Sequence, residues 1–314
     1  MRTIYTPSLL KKDEEEKLWN NALIVFDTCA LLDFYYLQKE YQTIISEILE
    51  LLKDRIWIPA QVKHEFEKNH LSVCTKPITE KYSDKKVVNN KLIDDLKQNI
   101  AQWDKKYYHP FISDDSLNQI KEILVKIEPD ICKIKTIITK EYEKRKQEIR
   151  DLCSKDIIYQ TVKQLTIGDS FSFSELKKIV FEGQSRYINK IPPGYKDSED
   201  KDGIRQYGDL IIWKEIIKKA KDSNKDILFI TNDQKADWVI VDETKNDKNA
   251  EKPNQNEIGN PRRELLCEFE EETGHNIWIY STPTFIEKLE DIFQPKQHQL
   301  EFNGKLGIVR DVLR

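Results

Sequence analysis

The 314-residue sequence lacks any run of about 18 consecutive apolar residues, and its N-terminus lacks a basic segment followed by an apolar stretch. These absences predict that the protein has no membrane span and no signal peptide. Cysteine is also scarce. The five cysteines are odd in number, widely scattered and form no Cys-x-x-Cys pair, which argues against a disulfide framework and against a zinc knuckle. We therefore expect a soluble, cytoplasmic protein in a reducing compartment.

An excess of basic residues is missing as well. The chain has 51 lysines and arginines against 55 acids, for a formal net charge of -4. A protein that coats nucleic acid through its whole surface is strongly basic, so any nucleic-acid site here must be a local patch. The length suits one large α/β domain with an insertion or two modest domains.

Short, continuous apolar runs alternate with amphipathic helical patterns over most of the chain. Runs of this kind are typical of strands buried on both faces of a parallel sheet. We therefore predict an α/β fold with a mainly parallel sheet flanked by helices. The predicted strands lie at residues 22–26, 55–59, 227–231 and 276–280.

The segment from residue 71 to 165 differs from the rest, because it is long, rich in charge and helical in its apolar spacing. We interpret it as a helical insertion, an antiparallel hairpin with a turn near residues 109–115. It divides a discontinuous core formed by residues 1–70 and 166–295, and residues 296–314 form a C-terminal tail. Residues 242–259 are predicted to be a surface loop.

Four carboxylates occupy equivalent places on the predicted β-α units. Asp27 and Asp233 follow strands, and Glu65 and Asp209 lie in the first turns of helices. These places converge at the C-terminal edge of a parallel sheet, so we expect the four residues, called the acid cluster below, to face one crevice. Convergent carboxylates raise one another's pKa unless a cation neutralises them. Oxygen ligands of this type suit Mg²⁺ or Mn²⁺, and such a site can activate a water for phosphodiester hydrolysis. Asp237 lies one turn after Asp233 and is a further candidate ligand.

Each acid also has a structural interpretation when it is taken alone. Asp209 could cap its helix, Asp233 could form an Asx turn, and Glu65 could be a solvent-exposed helix acid. Asp27 is the hardest to explain in this way, because a carboxylate directly after a buried strand needs a partner.

At these residues the sequence resembles the PIN-like nucleases, in particular the larger bacterial branch with a helical insertion. The resemblance implies a Rossmann-like three-layer fold and divalent-metal-dependent cleavage of RNA or single-stranded nucleic acid by the acid cluster. It also places Asp197 and Lys235 within characteristic motifs, as candidates for a supporting role. The chain is about twice as long as the PIN toxins, so a toxin role is not carried over. The resembling segments are residues 24–35, 55–70, 191–197, 207–217, 227–238 and 261–285.

Basic residues near the predicted loops are candidates for contacts with backbone phosphates: Lys201, Arg205, Lys235 and Arg262. The resemblance suggests a role in bacterial defence or stress, with a regulatory protein partner or a homo-oligomer as further options. A haloacid-dehalogenase-type phosphatase needs an acid where Cys29 stands, and an adhesion-type metal site needs serines that residues 27–31 lack. The remaining alternative is a catalytically silent PIN-like module that binds nucleic acid or a protein partner.

Overall fold

The computed structural model describes residues 12–83, 90–106, 115–153, 155–199, 201–233, 235–240 and 260–293. The predicted loop at residues 242–259 and the predicted tail at residues 296–314 lie outside these ranges. So does most of the predicted hairpin turn at residues 109–115.

A five-stranded sheet forms the centre of the fold, and all of its neighbouring strands run parallel. The spatial order is β3-β2-β1-β4-β5. The α/β fold with a parallel sheet is thereby confirmed. Four of the five strands coincide with the predicted apolar runs, and the fifth, β3, was not predicted. The strands are β1 (Leu23–Phe26), β2 (Ile56–Ile58), β3 (Thr166–Ile167), β4 (Ile227–Ile230) and β5 (Ile277–Tyr280).

Eleven α-helices accompany the sheet in the described part of the chain. The strands β1, β2, β4 and β5 are buried along their whole length, as expected for strands covered on both faces. Among the described residues, no helix is both long and apolar enough to cross a membrane. The helices are α1 (Lys12–Asn21), α2 (Thr28–Asp33), α3 (Lys39–Leu51), α4 (Ala60–Ser83), α5 (Asn90–Lys106), α6 (Asp115–Cys153), α7 (Ile157–Gln164), α8 (Phe173–Ile188), α9 (Gly208–Ser223), α10 (Arg263–Thr273) and α11 (Thr282–Phe293).

The chain divides into two compact units. One contains the described residues up to His70 and from Ile157 onward, and the other is Leu71–Asp156, which contains α5 and α6. The helical pattern predicts α7 as part of the insertion at residues 71–165, but α7 lies in the first unit. It packs there because Ile158 and Val162 are buried in the main core and the hydroxyl of Thr161 lies 2.6 Å from that of Ser46 on α3.

The strand order reverses direction between β1 and β4. After β1 the chain adds β2 and β3 on one side, and it then crosses to add β4 and β5 on the other. In open parallel sheets, ligands bind beyond the carboxyl ends of the strands at such a reversal. Asp27 and Thr231 are the residues that follow β1 and β4 at this point.

Candidate active site

Asp27 is held between the ends of β1 and β4. Its backbone N–H donates to the carbonyl of Ile230 (2.8 Å), so the strand pairing extends to the acid itself. The side chain accepts from the backbone of Thr28 (2.7 Å) and from the hydroxyl of Thr231 (2.7 Å). Burial raises the pKa of Asp27, the bond from Thr231 opposes that rise, and the Glu65 carboxylate adds to it. The carboxylate is therefore held in one orientation in a place that penalises its charge.

Glu65 is connected to Asp27 through Thr28, which donates a hydrogen bond to each of the two acids. Its Oε2 accepts from the hydroxyl of Thr28 (3.0 Å), and its Oε1 accepts from the amide of Gln61, one turn earlier on α4 (2.7 Å). Glu65 therefore has two specific partners and is not a solvated helix acid. A Cβ added to Gly208 would lie 3.0 Å from Oε1, so the glycine leaves room for Glu65 beside the start of α9.

Asp209 lies in the first turn of α9 but does not cap it. The N-cap position is Tyr207, which makes no side-chain cap bond. Oδ2 of Asp209 instead accepts from the indole N–H of the buried Trp238 (3.2 Å). Burial raises the pKa of Asp209 well above its ordinary value, and the carboxylates of Asp197 and Asp27 raise it further. Among the described residues, no cationic side chain lies within ion-pair distance of this acid.

The side chain of Asp233 takes part in both a turn and an ion pair. Its Oδ1 accepts from the backbone N–H of Lys235 (3.0 Å), which is the Asx-turn geometry. Its Oδ2 lies 2.9 Å from the Lys235 ammonium. The same ammonium lies 2.7 Å from Oδ1 of Asp197, whose other oxygen contacts Lys201. Although burial disfavours the charge of Asp197, the two ammonium groups hold its pKa below the ordinary value.

Asp237 binds the backbone of the loop around residues 194–196. It is fully buried, and its Oδ2 accepts from the backbone N–H groups of Gly194 (3.0 Å) and Lys196 (3.1 Å). Burial raises the pKa of Asp237, and the bond from Lys196 opposes the rise. Its Oδ1 is buried and has no hydrogen-bond partner in the described part of the chain. One oxygen of Asp237 thus positions the loop, and the other remains unsatisfied.

The candidate phosphate-binding residues occupy different environments. Lys201 and Lys235 are engaged with Asp197, and their side chains are 47% and 42% exposed. Arg262 donates to the carbonyl of Ala236 (3.1 Å) and pairs with Glu264 (3.1 Å), so it braces the loop after β4. Arg205 lies in the exposed segment before α9.

The carboxylate oxygens of the acid cluster are suitable ligands for a hard divalent cation, although the described side chains do not form a preassembled metal site. Among the described residues, no three histidine, cysteine or acidic side chains are close enough together to hold a metal ion. All members of the acid cluster offer carboxylate oxygens, which Mg²⁺ and Mn²⁺ prefer. The high pKa of Asp209, surrounded by other carboxylates, and the unsatisfied oxygen of Asp237 are the two signs of missing positive charge.

Four residues that orient the acids were not among the predicted site residues. Thr28 and Gln61 donate hydrogen bonds to Glu65, Thr231 donates to Asp27, and Trp238 donates to Asp209. Gln61 could have been found, because a glutamine four residues before an acid on a helix lies on the same face. The bond from Trp238 joins a loop to a helix and leaves no local signal in the sequence.

The chain matches the model of a known protein family. The model described as "PIN like domain" matches residues 23–256, well over half of the chain. The matched span includes all four residues of the acid cluster and both helices α5 and α6. No curated protein and no solved structure matches the sequence.

Proposed function

The chain belongs to the PIN-like domain family, whose fold is of the nuclease type, and on that premise we propose that it is a divalent-metal-dependent endonuclease. Its substrate is RNA or single-stranded nucleic acid. The cation is Mg²⁺ or Mn²⁺, and the acid cluster of Asp27, Glu65, Asp209 and Asp233 provides the ligands, directly or through water. Asp237 adds its free oxygen at the edge of the site.

The observation that carries the proposal is the state of Asp209. Desolvation and the neighbouring carboxylates of Asp197, Asp27 and Asp233 raise the pKa of this acid well above the ordinary value. A structural acid in such a place would normally have a cationic partner, since an unpaired buried charge is costly. An acid that lies among other acids, with no cationic side chain within ion-pair distance, is the arrangement expected where a cation binds.

The side chains of the site have separable tasks. Thr28, Gln61, Thr231 and Trp238 fix the orientation of the carboxylates through hydrogen bonds. When bound, a divalent cation supplies the positive charge that polarises a phosphodiester oxygen and lowers the pKa of a water. Lys201, Arg205 and Arg262 lie on segments next to the acid cluster and are the proposed contacts for backbone phosphates.

The cellular role that we propose is cleavage of RNA during bacterial defence or stress, in the cytoplasm. A regulatory protein partner or a homo-oligomer would restrain the activity between such events. Deletion of the gene should lower survival after infection or stress. Unchanged survival under both conditions would contradict this role without affecting the enzymatic proposal.

Cleavage of labelled single-stranded RNA and single-stranded DNA by the purified protein tests the activity. The reactions contain Mn²⁺, Mg²⁺ or EDTA, and Asp27→Asn and Asp233→Asn are compared with the parent. Glu47→Gln, a change at an exposed acid of α3, is the matched control. We expect metal-dependent cleavage by the parent and the control and a loss of about 100-fold or more in the two site variants. Equal cleavage by all four proteins would contradict the site assignment.

The same assay addresses the non-catalytic alternative. The lack of a ready-made metal cage among the described residues is the observation that favours it. A catalytically silent module would bind the labelled strand with and without metal and cut it under neither condition.

A further inference from the structure

Lys235 holds an unusual position for a surface lysine. Its ammonium lies between two acids, 2.7 Å from Oδ1 of Asp197 and 2.9 Å from Oδ2 of Asp233. Asp233 belongs to the acid cluster, and Asp197 lies close enough to Asp209 to affect its charge. Lys235 therefore places a positive charge at the edge of the proposed metal site.

The acids on either side are more buried than the lysine between them. The side chains of Asp197 and Asp233 are 4% and 16% exposed, whereas that of Lys235 is 42% exposed. A buried carboxylate that stays ionised is stabilised by hydrogen bonds or by a counter-charge, and Lys235 supplies that counter-charge to both acids. An exposed lysine stem allows the ammonium to move into water, since the charge need not cross the core.

Lys201 provides a natural comparison within the same network. It contacts the other oxygen of Asp197, and neither its ion pairs nor its hydrogen bonds include a member of the acid cluster. Asp197 would thus keep one cationic partner if Lys235 moved away. Asp233 would not, because Lys235 is its cationic partner among the described residues.

From this geometry we propose that Lys235 is the resident counter-ion of the acid cluster in the metal-free protein, and that a divalent cation must displace its ammonium in order to bind. The inference rests on the metal site of the proposed function and adds a control of its affinity. Lys235 holds Asp233 beside Asp197 at low metal concentration, and it raises the metal concentration at which the site fills.

Titration calorimetry of the 314-residue protein with MnCl₂ tests this competition without any measurement of activity. We expect Lys235→Met to bind Mn²⁺ about tenfold more tightly than the parent, because no ammonium has to leave. Lys235→Gln, which keeps a hydrogen-bond donor but no charge, carries the same expectation. Lys235→Arg should bind Mn²⁺ less tightly than either neutral variant.

Lys201→Met is the matched control, because it removes one positive charge from the same network without freeing Asp233. It should leave the Mn²⁺ affinity within about twofold of the parent. An equal gain in Mn²⁺ affinity in Lys201→Met and Lys235→Met would overturn the proposal. The gain would then come from the overall electrostatic potential and not from the absence of the Lys235 ammonium. Equal or weaker binding by Lys235→Met would overturn the proposal as well.

Thermal unfolding gives a second result that distinguishes displacement from a purely structural role. If the lysine and the metal occupy the site alternately, Lys235→Met should be less stable than the parent in EDTA, and this deficit should disappear in saturating Mn²⁺. A deficit of the same size under both conditions would contradict the proposal. Absence of Mn²⁺ binding to the parent and to every variant would overturn the metal site itself, whereas equal binding would overturn the role of Lys235 alone.

Discussion

The hydroxyl of Thr231 donates to Oδ2 of Asp27 across 2.7 Å, and this bond joins the end of β4 to the end of β1. The same hydroxyl accepts from the backbone N–H of Asp233 (3.1 Å). One side chain thus connects two members of the acid cluster at the point where the strand order reverses.

Removal of that hydroxyl should destabilise the protein, because Asp27 would lose a donor and the N–H of Asp233 an acceptor. We expect Thr231→Val to lower the free energy of unfolding by about 1.5–3 kcal/mol, the range for hydrogen bonds to charged groups. Thr43→Val, which removes an exposed hydroxyl bonded within α3, should cost less than about 0.5 kcal/mol. Urea unfolding of both variants measures the difference, and similar losses would contradict the linking role of Thr231.

Gln61 should act as a positioning residue for Glu65, since its amide donates to Oε1 at 2.7 Å. We expect Gln61→Met to weaken Mn²⁺ binding about tenfold, the low end of the range for groups that orient metal ligands. The unfolding midpoint should change little. Gln147→Met removes the same i,i+4 glutamine–acid bond from the exposed α6 pair with Asp151 and should not affect Mn²⁺ binding. Parental affinity in the Gln61 variant would show that Glu65 needs no such support.

The raised pKa of Glu215 predicts that stability depends on pH independently of metal binding. Glu215 is buried on α9, and its Oε2 accepts from the backbone N–H of Gln61 (3.1 Å) near the start of α4. Burial raises the pKa of Glu215 from 4.5 to about 7. The folded state therefore binds a proton that the unfolded state releases between these values. The contribution of this group to stability is present below the lower value and is lost as the pH rises through the upper one.

Glu215→Gln cannot ionise and should remove that pH dependence. Between pH 4.5 and pH 8, the stability of the parent should fall by about 3 kcal/mol relative to the variant. Urea unfolding in EDTA at both pH values measures this change, with Glu47→Gln as the exposed control. Parallel pH profiles of the parent and Glu215→Gln would contradict the raised pKa.

The sheet could largely be predicted from the sequence, because a buried parallel strand leaves a continuous apolar run. The runs at residues 22–26 and 227–231 coincide with β1 and β4, which lie side by side at the centre. The strand β3 could not be predicted in this way. It contains two residues and lies at the sheet edge, where its burial pattern is exposed and intermediate.

The neighbourhood of the acid cluster was less accessible to sequence analysis than the strands. Asp27 directly follows a continuous apolar run, so its position at the carboxyl end of a buried strand could be predicted from the local sequence. The partners of Asp197 and Asp237 depend on how the segments after α8 and β4 fold against each other. Such contacts join residues about 40 positions apart and follow no periodic pattern, so burial and hydrogen bonding had to be seen in three dimensions.

The carboxylates of the acid cluster are proposed to bind a divalent cation in one crevice. Anomalous X-ray diffraction from crystals of the 314-residue protein grown with MnCl₂ is the most direct test of this binding. We expect a manganese peak at about 2.1 Å from oxygens of at least two members of the acid cluster, or linked to them through ordered water. The peak should be lost in Asp209→Asn. A fully occupied peak elsewhere, with none among Asp27, Glu65, Asp209 and Asp233, would contradict the proposal.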